Sequence, residues 1–351
     1  MNIAIFDAAR YWSGGAQRVY LCCKGFKERN HTVVLICLST SRLNKLLKNK
    51  IKIFNIHPVF DLDFLAGIKI FYILLKYKID ILDIHSPKFY WLGLFVGKIL
   101  NKKVFITRNV EYRKKGIKKI INRILYHSCD GIIAVSEKIK KYLKEDFKIK
   151  DEKIKVIYDG FIFEKKQPKN IRKKYNISNN EIVLSIIGRI EKNKAQDFAI
   201  EILYELIKNG YKAKLFIIGK KEDEDFYEYL INKIKILNLS ENVILTGFVS
   251  NVDDYIFSSD VILCCSYYEG LPRSIIESLA LLKPVVSTDA VDEYEVKKLP
   301  SLVKIIKERN PKKFASAILD LKESNVKYIN DFLKNFSYSN MIDEYLRFYS
   351  R

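Results

Sequence analysis

Short apolar runs alternate with amphipathic ones along the whole chain, and this alternation restricts the fold more than any other feature. Residues 2–6, 32–38, 52–56, 103–107 and 131–136 are each long enough for one buried strand and too short for a helix. Helical spacing at residues 18–27, 42–48, 67–77 and 139–147 separates them. Strand-helix-strand order of this kind builds a parallel sheet with helices on both faces. The pattern lapses over 164–170, around Pro168, and starts afresh with strands at 181–187, 213–218, 243–246 and 261–265 and helices at 197–209 and 226–237. A chain of 351 residues also exceeds one domain by length. We therefore expect an α/β protein with two doubly wound domains, over residues 1–165 and 166–330. A closing segment at 331–351 carries an amphipathic helix with Met341, Ile342, Tyr345, Leu346 and Tyr349 inward.

The stretch 261–288, VILCCSYYEGLPRSIIESLALLKPVVST, carries most of the chemistry. Its apolar strand leads into a loop, and Pro272 with Arg273 and Ser274 marks a helix start, because proline's fixed φ and missing N–H cost least in a first turn. The helix is expected over 273–282, with Lys283-Pro284 ending it and a strand following at 285–287. Backbone N–H groups around Gly270, Leu271 and Ser274 then point at a helix N-terminus, where an anion such as a diphosphate is favoured. Glu269 precedes the helix and Glu277 falls on its expected first turn. Carboxylates accept hydrogen bonds from sugar hydroxyls and repel phosphates. A ligand with hydroxyls at both ends and phosphates between them fits best, and that is a nucleotide sugar. Without a ligand the same two glutamates are solvated charges on a loop and a helix.

Other strand ends add to this picture. Gly188 and Arg189 leave the strand 181–187 directly, and Lys194 follows five residues after Arg189, so two cations reach the same edge. Such a pair can offset charge building on a departing diphosphate without a metal. In the first half, Gly14 and Gly15 lie between a strand and a helix, where glycine lets backbone approach a ligand closely. His85 ends the apolar segment 79–84, a place where open α/β sheets put ligand groups. It either hydrogen-bonds a sugar hydroxyl or phosphate, or is a satisfied core histidine. Asp61-Leu62-Asp63 and Asp223-Glu224-Asp225 lie on loops and read as solvated pairs, so no metal site is expected.

Glu269-x7-Glu277, with Gly270-Leu271-Pro272 after the first glutamate, resembles the paired-glutamate motif of retaining, nucleotide-sugar-dependent glycosyltransferases of family 4, which have the GT-B fold. Gly14-Gly15-Ala16 resembles the family's first glycine loop, and Asp83-Ile84-His85 its Asp-x-His motif. Gly188-Arg189 with Lys194 resembles its phosphate-binding pair, Thr246-Gly247-Phe248-Val249 its base-packing strand end, and 339–349 its terminal helix that crosses back to the first domain. The resemblance implies two Rossmann-like domains facing a cleft, with donor in the second half and acceptor against the first. It implies that Glu269 bonds the donor sugar, Glu277 the ribose, Arg189 and Lys194 the diphosphate, and that His85 reaches the reaction centre. Those roles make His85, Arg189, Lys194 and Glu269 the catalytic candidates. Gly14, Gly15, Gly188, Gly247, Phe248, Gly270, Leu271, Pro272, Arg273 and Glu277 join them around the donor. The implied reaction is transfer with retention from a nucleotide sugar, whose base the strand end at 246–249 does not disclose and for which a UDP-sugar is favoured. The charge of the first half, considered below, points to a saccharide or lipid-linked acceptor, as in bacterial surface glycan synthesis. The nucleotide sugar is a substrate, and no cofactor is implied. Departures from the family are Gln17 for a frequent Glu, Asp159 for Asn, and Ala195 where glycine usually follows the lysine. The largest is at 289–296, DAVDEYEV, where a pair of glycines normally precedes Glu-Val.

Charge separates the two halves. Residues 1–168 hold 34 Lys and Arg against 15 Asp and Glu, a net of +19 out of +21 for the chain. A lysine-rich codon bias would load both halves alike, so an anionic partner for the first half is expected: an anionic saccharide, a lipid-linked acceptor or a membrane surface. Arg113, Lys114, Lys115, Lys118 and Lys119 form the strongest cluster, interleaved with isoleucines at helical spacing. That helix either packs its isoleucines on the sheet or offers them to a membrane; one stripe cannot do both. The chain opens on a strand without a basic start or cleavage site, and its apolar stretches at 64–75 and 89–100 are too short to span a bilayer. A cytoplasmic protein at the inner face of the membrane is expected. Six cysteines lack metal or disulfide spacing and read as buried thiols. A sugar-nucleotide epimerase or a phosphorylase on the same fold is the rival among enzymes. A basic nucleic-acid-binding protein is the rival outside them, but no nucleic-acid motif is present and no nucleic acid is expected.

Overall fold

The computed structural model describes residues 1–109, 116–162, 167–269, 272–290, 302–322 and 333–351. They form two compact units, Met1–Ile162 with Asn335–Arg351, and Phe163–Lys334. The first unit is built on seven strands, β1 (Asn2–Asp7), β2 (Thr32–Cys37), β3 (Lys52–Asn55), β4 (Ile81–Ile84), β5 (Lys103–Arg108), β6 (Gly131–Ala134) and β7 (Ile154–Val156). Every pairing is parallel, in the order β3-β2-β1-β4-β5-β6-β7. In β1, Ala4 and Phe6 join the core under helices Phe64–Lys76, Tyr90–Ile99 and Glu137–Phe147. Ile3 and Ile5 join the opposite core, under helices Gly14–Glu28 and Tyr338–Tyr349. Both faces are covered, which is why these strands read as continuous apolar runs.

Helix Gly14–Glu28 starts earlier than the spacing of its apolar residues indicates. Ser13 Oγ accepts the Ala16 N–H at 3.2 Å, so the two glycines form the first turn instead of a loop before it. Asp63 and Asp223, from the two acidic loop motifs, likewise cap helices Phe64–Lys76 and Glu224–Ile236, accepting from Ala66 and Phe226.

The closing helix Tyr338–Tyr349 is part of the first unit's core. Tyr345 and Tyr349 meet Phe26 at ring separations of 5.9 and 5.8 Å, and Phe348 and Tyr349 meet Phe105 at 5.3 and 4.8 Å. Below this cluster lies Arg18, 1% exposed, whose Nε donates to Asp159 at 2.6 Å. Its other nitrogens donate to Tyr345 Oη at 2.9 Å and the Ile157 carbonyl at 2.8 Å. Burial opposes the guanidinium charge, but Asp159 and then Tyr345 outweigh it and raise the pKa above its ordinary value. The departure at Asp159 thus has a local reason: a carboxylate neutralises a buried arginine where an amide could not.

The second unit holds β8 (Ile182–Ile187), β9 (Ala213–Ile218), β10 (Val243–Gly247), β11 (Val261–Cys264), β12 (Val285–Thr288) and β13 (Val303–Ile306), parallel in the order β10-β9-β8-β11-β12-β13. Leu184 and Ile186 of β8 pack under helices Gln196–Lys208 and Pro311–Lys322, while Val183 packs on the other face with Phe216 and Tyr255. All six cysteines are free and buried.

Removing one partner of a buried ion pair leaves the other charge uncompensated. Asp159→Asn should therefore destabilise the protein by on the order of 3 kcal/mol, read as a lower urea midpoint at neutral pH. An unchanged midpoint would mean that Tyr345 and the Ile157 carbonyl support Arg18 unaided.

Candidate functional site

Strand order reverses once in each sheet, between β1 and β4 in the first and between β8 and β11 in the second. At such a reversal neighbouring connections leave toward opposite faces and open a crevice at the carboxyl ends of the strands. The candidate residues follow these strands: Gly14 and Gly15 after β1, His85 after β4, Arg189 and Lys194 after β8, Glu269 after β11.

In the second unit the geometry centres on Lys194 and Glu269. The Lys194 ammonium donates directly to Glu269 Oε1, and Ser266 Oγ donates to the same oxygen at 2.5 Å. Gly188 leaves room for this: a Cβ there would sit 3.2 Å from Lys194 Cδ and Cε, so the lysine stem runs across the glycine. Gly219, the residue after β9, lies against this turn, since a Cβ on it would fall 1.8 Å from the Gly188 carbonyl oxygen. Ala195 closes the turn at φ +50°, the left-handed conformation that favours the glycine usual at that place.

The loop bearing Glu269 is held by two residues that sequence reasoning did not select. Asn193 donates to the Tyr268 carbonyl at 3.1 Å and accepts the Tyr268 N–H at 3.2 Å, and its own carbonyl accepts the Tyr267 N–H at 2.9 Å. Arg309 donates to the carbonyls of Cys265 and Ser266, and its guanidinium stacks 3.7 Å from the centre of the Tyr267 ring. Asn193 sits inside the Arg189 to Lys194 segment and was open to inference from that position; Arg309 follows β13 and carries no local signal.

Past this loop, Pro272 is the N-cap of helix Arg273–Ala280, and its own side chain makes no capping hydrogen bond. The helix ends two residues before the expected Leu282. Glu277 is its fifth residue, just past the first turn, and is paired with Arg273 at 3.5 Å. Burial pushes the Glu277 carboxyl up; Arg273 opposes this and Asp253 adds to it. Arg189 has an acidic partner of its own. Its side chain is 60% exposed and pairs with Glu191 at 3.1 Å. Thus Lys194 and Glu269 touch, while Arg189 and Glu277 each hold a neighbour in their own segment. Gly247 ends β10 at φ +67°, and the Phe248 ring beside it is 78% exposed. Gly270 and Leu271 lie outside the described residues, as do residues 291–296 of the altered segment.

In the first unit, a Cβ on Gly15 would fall 3.0 Å from Asn109 Nδ2, whereas one on Gly14 would meet nothing within 4 Å among the described residues. His85 is buried. Its Nε2 meets Asp83 Oδ2 at 2.7 Å, while its buried Nδ1 has no hydrogen-bond partner among the described residues. Helix Ile117–Ser128 buries only Leu125 and Tyr126; Ile117, Ile120, Ile121 and Ile124 face outward beside Lys118 and Lys119. The stripe therefore does not serve the core. Lys119 pairs with Asp146, and Arg113, Lys114 and Lys115 lie outside the described residues. No described helix is long and apolar enough to cross a membrane.

Residues 12–164 match the family Glycosyltransferase Family 4, and residues 167–339 match Glycosyl transferases group 1. The chain is 34% identical over 206 residues to an uncharacterized glycosyltransferase of Methanocaldococcus jannaschii, a match covering 55% of this chain and 50% of that relative. It is 26% identical over 293 residues to the N-acetylgalactosamine-N,N'-diacetylbacillosaminyl-diphospho-undecaprenol 4-alpha-N-acetylgalactosaminyltransferase of Campylobacter jejuni, covering 79% of this chain and 78% of that enzyme. The fold matches that of Anabaena HepE, solved with UDP and glucose, at a TM-score of 0.81, with 18% identity over 100% of this chain and 99% of that one.

The elevated carboxyl of Glu277 has a consequence for stability. A carboxyl raised in the folded state pays for ionisation as pH climbs past the unfolded value, and this penalty is absent below that value. Glu277→Gln should raise the melting temperature of the ligand-free protein at neutral pH, with the gain vanishing under acid conditions. No gain at neutral pH would mean that the carboxyl ionises without penalty, and a gain that persists at acid pH would come from something other than its ionisation.

Proposed function

The chain belongs to glycosyltransferase family 4, with the GT-B fold, and on that premise we propose that it transfers a sugar, with retention, from a UDP-sugar to a saccharide or lipid-linked acceptor in bacterial surface glycan synthesis. The observation that carries this reading is the contact of Lys194 with Glu269 at a strand-order reversal, just before the N-terminus of helix Arg273–Ala280. A diphosphate at that N-terminus would meet the first-turn N–H groups and the Lys194 ammonium. Glu269 would then be free to accept from sugar hydroxyls, and Glu277, one turn along, from the ribose. As the bond from the anomeric carbon to the diphosphate breaks, its electron pair goes to the phosphate oxygen. Lys194, Arg189 and the helix dipole offset that charge, so neither a metal nor a protein nucleophile is required. The exposed Phe248 ring supplies a face on which a nucleobase could stack. The UDP seen with Anabaena HepE and the diphospho-undecaprenol named for the Campylobacter enzyme support the choice of donor and of a lipid-linked acceptor.

A lipid-linked acceptor requires a surface that tolerates both headgroups and chains. Helices Phe64–Lys76, Tyr90–Ile99 and Ile117–Ser128 pack side by side, contain six lysines and arginines, and include no acidic residue. They expose Phe64, Leu65, Tyr72, Phe95, Ile117 and Ile120, and the first two helices enclose an apolar groove of about 560 Å³. A second copy on this face would bring like charges together, and a nucleic acid would leave the apolar side chains in water. An anionic membrane surface satisfies both properties.

Lys194→Ala should cut turnover by about 10²-fold or more, measured as product mass formed from a panel of nucleotide sugars; an undiminished rate would count against the phosphate role. In flotation assays the protein should rise with vesicles containing phosphatidylglycerol and not with neutral ones. Ile120→Glu combined with Ile124→Glu should abolish this. Equal recovery with both lipids, or with both proteins, would remove the membrane from the reading.

A further inference from the structure

We propose that Tyr349, in the last turn of the closing helix, is a positioning residue that fixes His85 through Asp83. The inference rests on His85 serving the proposed transfer, and it concerns contacts within the first unit alone. Asp83 lies in β4, and its side chain is fully buried. Three side chains converge on its carboxylate. Thr107 Oγ1 donates to Oδ1 at 2.8 Å, and the Tyr349 hydroxyl and His85 Nε2 both reach Oδ2 at 2.7 Å.

An ionised carboxylate only accepts, so the phenol must donate and His85 must present its Nε2 proton. In the neutral ring that leaves Nδ1 as a bare acceptor, and Nδ1 is the buried atom without a partner among the described residues. The backbone N–H of His85 is already committed to the Phe6 carbonyl at 2.9 Å, so only the ring remains to be fixed. Asp83 fixes it, and Tyr349 fixes Asp83.

The phenol itself is held firmly. Its ring touches Phe26, Phe105 and Tyr345, and burial followed by the charge of Asp83 keeps its proton on far above the ordinary range. Without that hydroxyl, Oδ2 would have His85 as its sole donor. The carboxylate could then turn about its side-chain bonds, and the ring with it. Tyr345, one turn earlier on the same helix, offers a matched comparison, because it bonds Arg18 and not Asp83.

The test uses the full chain with isotope-labelled histidine, of which there are four. In the wild-type protein the nitrogen spectrum should show His85 as a single tautomer, protonated on Nε2. The opposite tautomer would overturn the proposal before any variant is made, which keeps it testable even if a variant fails to fold. Tyr349→Phe should shift the Nε2 proton downfield, broaden the ring signals and lower kcat about 10-fold with the donor KM within about twofold. Tyr345→Phe, a buried phenol lost from the same helix, should leave the His85 signals where they were. His85 signals that respond equally to both variants, or to neither, overturn the positioning role. Signals that move only in Tyr349→Phe while kcat stays constant would support the positioning and instead remove His85 from the transfer reaction.

Discussion

In a parallel sheet whose connections first run to one side and then to the other, two adjacent strands send their chains to opposite faces. No connection covers the gap between them, and peptide groups and side chains at their carboxyl ends are left to build a site. Both units obey this constraint. The motif residues of the first unit follow β1 and β4, and those of the second follow β8 and β11. Two short segments, one after each reversing strand, therefore set the chemistry of a unit, while the remaining strands hold them in place through buried aliphatic layers. Gly188 and Gly219 show how tight the fit is, because a single methyl on Gly219 would collide with the carbonyl of Gly188.

Segments at strand ends have few backbone partners, so polar side chains must fix them. In the second unit Asn193 and Arg309 bond the backbone of 265–268 from two directions, and Thr288 adds a bond to the Ser266 carbonyl at 2.8 Å. In the first unit, Ser86 joins Asp7 at 2.7 Å and the Ala8 N–H at 2.8 Å, tying the end of β4 to the end of β1. Such groups add little net stability for each hydrogen bond, but leaving any one of them unpaired is costly. They specify one loop conformation instead of adding to the core. Arg18, Asp159 and Tyr345 do the same beneath helix Gly14–Glu28 and join the chain's end to its beginning.

What could be read from the sequence was local. Apolar runs flanked by polar turns disclosed the strands, and the residue just after a strand disclosed Lys194, Glu269 and His85, because position in the chain implied position at the sheet edge. Ser13 was equally local; its capping role was legible, yet the apolar spacing of helix Gly14–Glu28 drew attention to a later start. Strand β13 and the twelve-residue helix Pro311–Lys322 are no shorter than segments that were read, such as 285–287 and 42–48, yet neither was picked out. Partners distant in sequence were not legible at all. Nothing near Asp83 announces Tyr349, and nothing near Tyr267 announces Arg309. The amphipathic pattern of Ile117–Ser128 was visible, but periodicity does not say which stripe faces the sheet, and here the isoleucines face away.

The contact between Lys194 and Glu269 adds a consideration about timing. Each side chain is mostly buried, and an isolated charge in such a place is far more costly than one in water. Each neutralises the other, and Ser266 takes up part of the remaining acceptor capacity of Glu269. Under the proposed reading, a donor with phosphate and hydroxyls in the right order exchanges this pair for two new ones, so no charge is left uncompensated at either stage. A ligand that offered only the phosphate would take the lysine and leave Glu269 buried without its cation. A ligand that offered only hydroxyls could not displace the lysine. Preference for a complete sugar diphosphate over either fragment would follow from this exchange, without any further contact to the sugar ring.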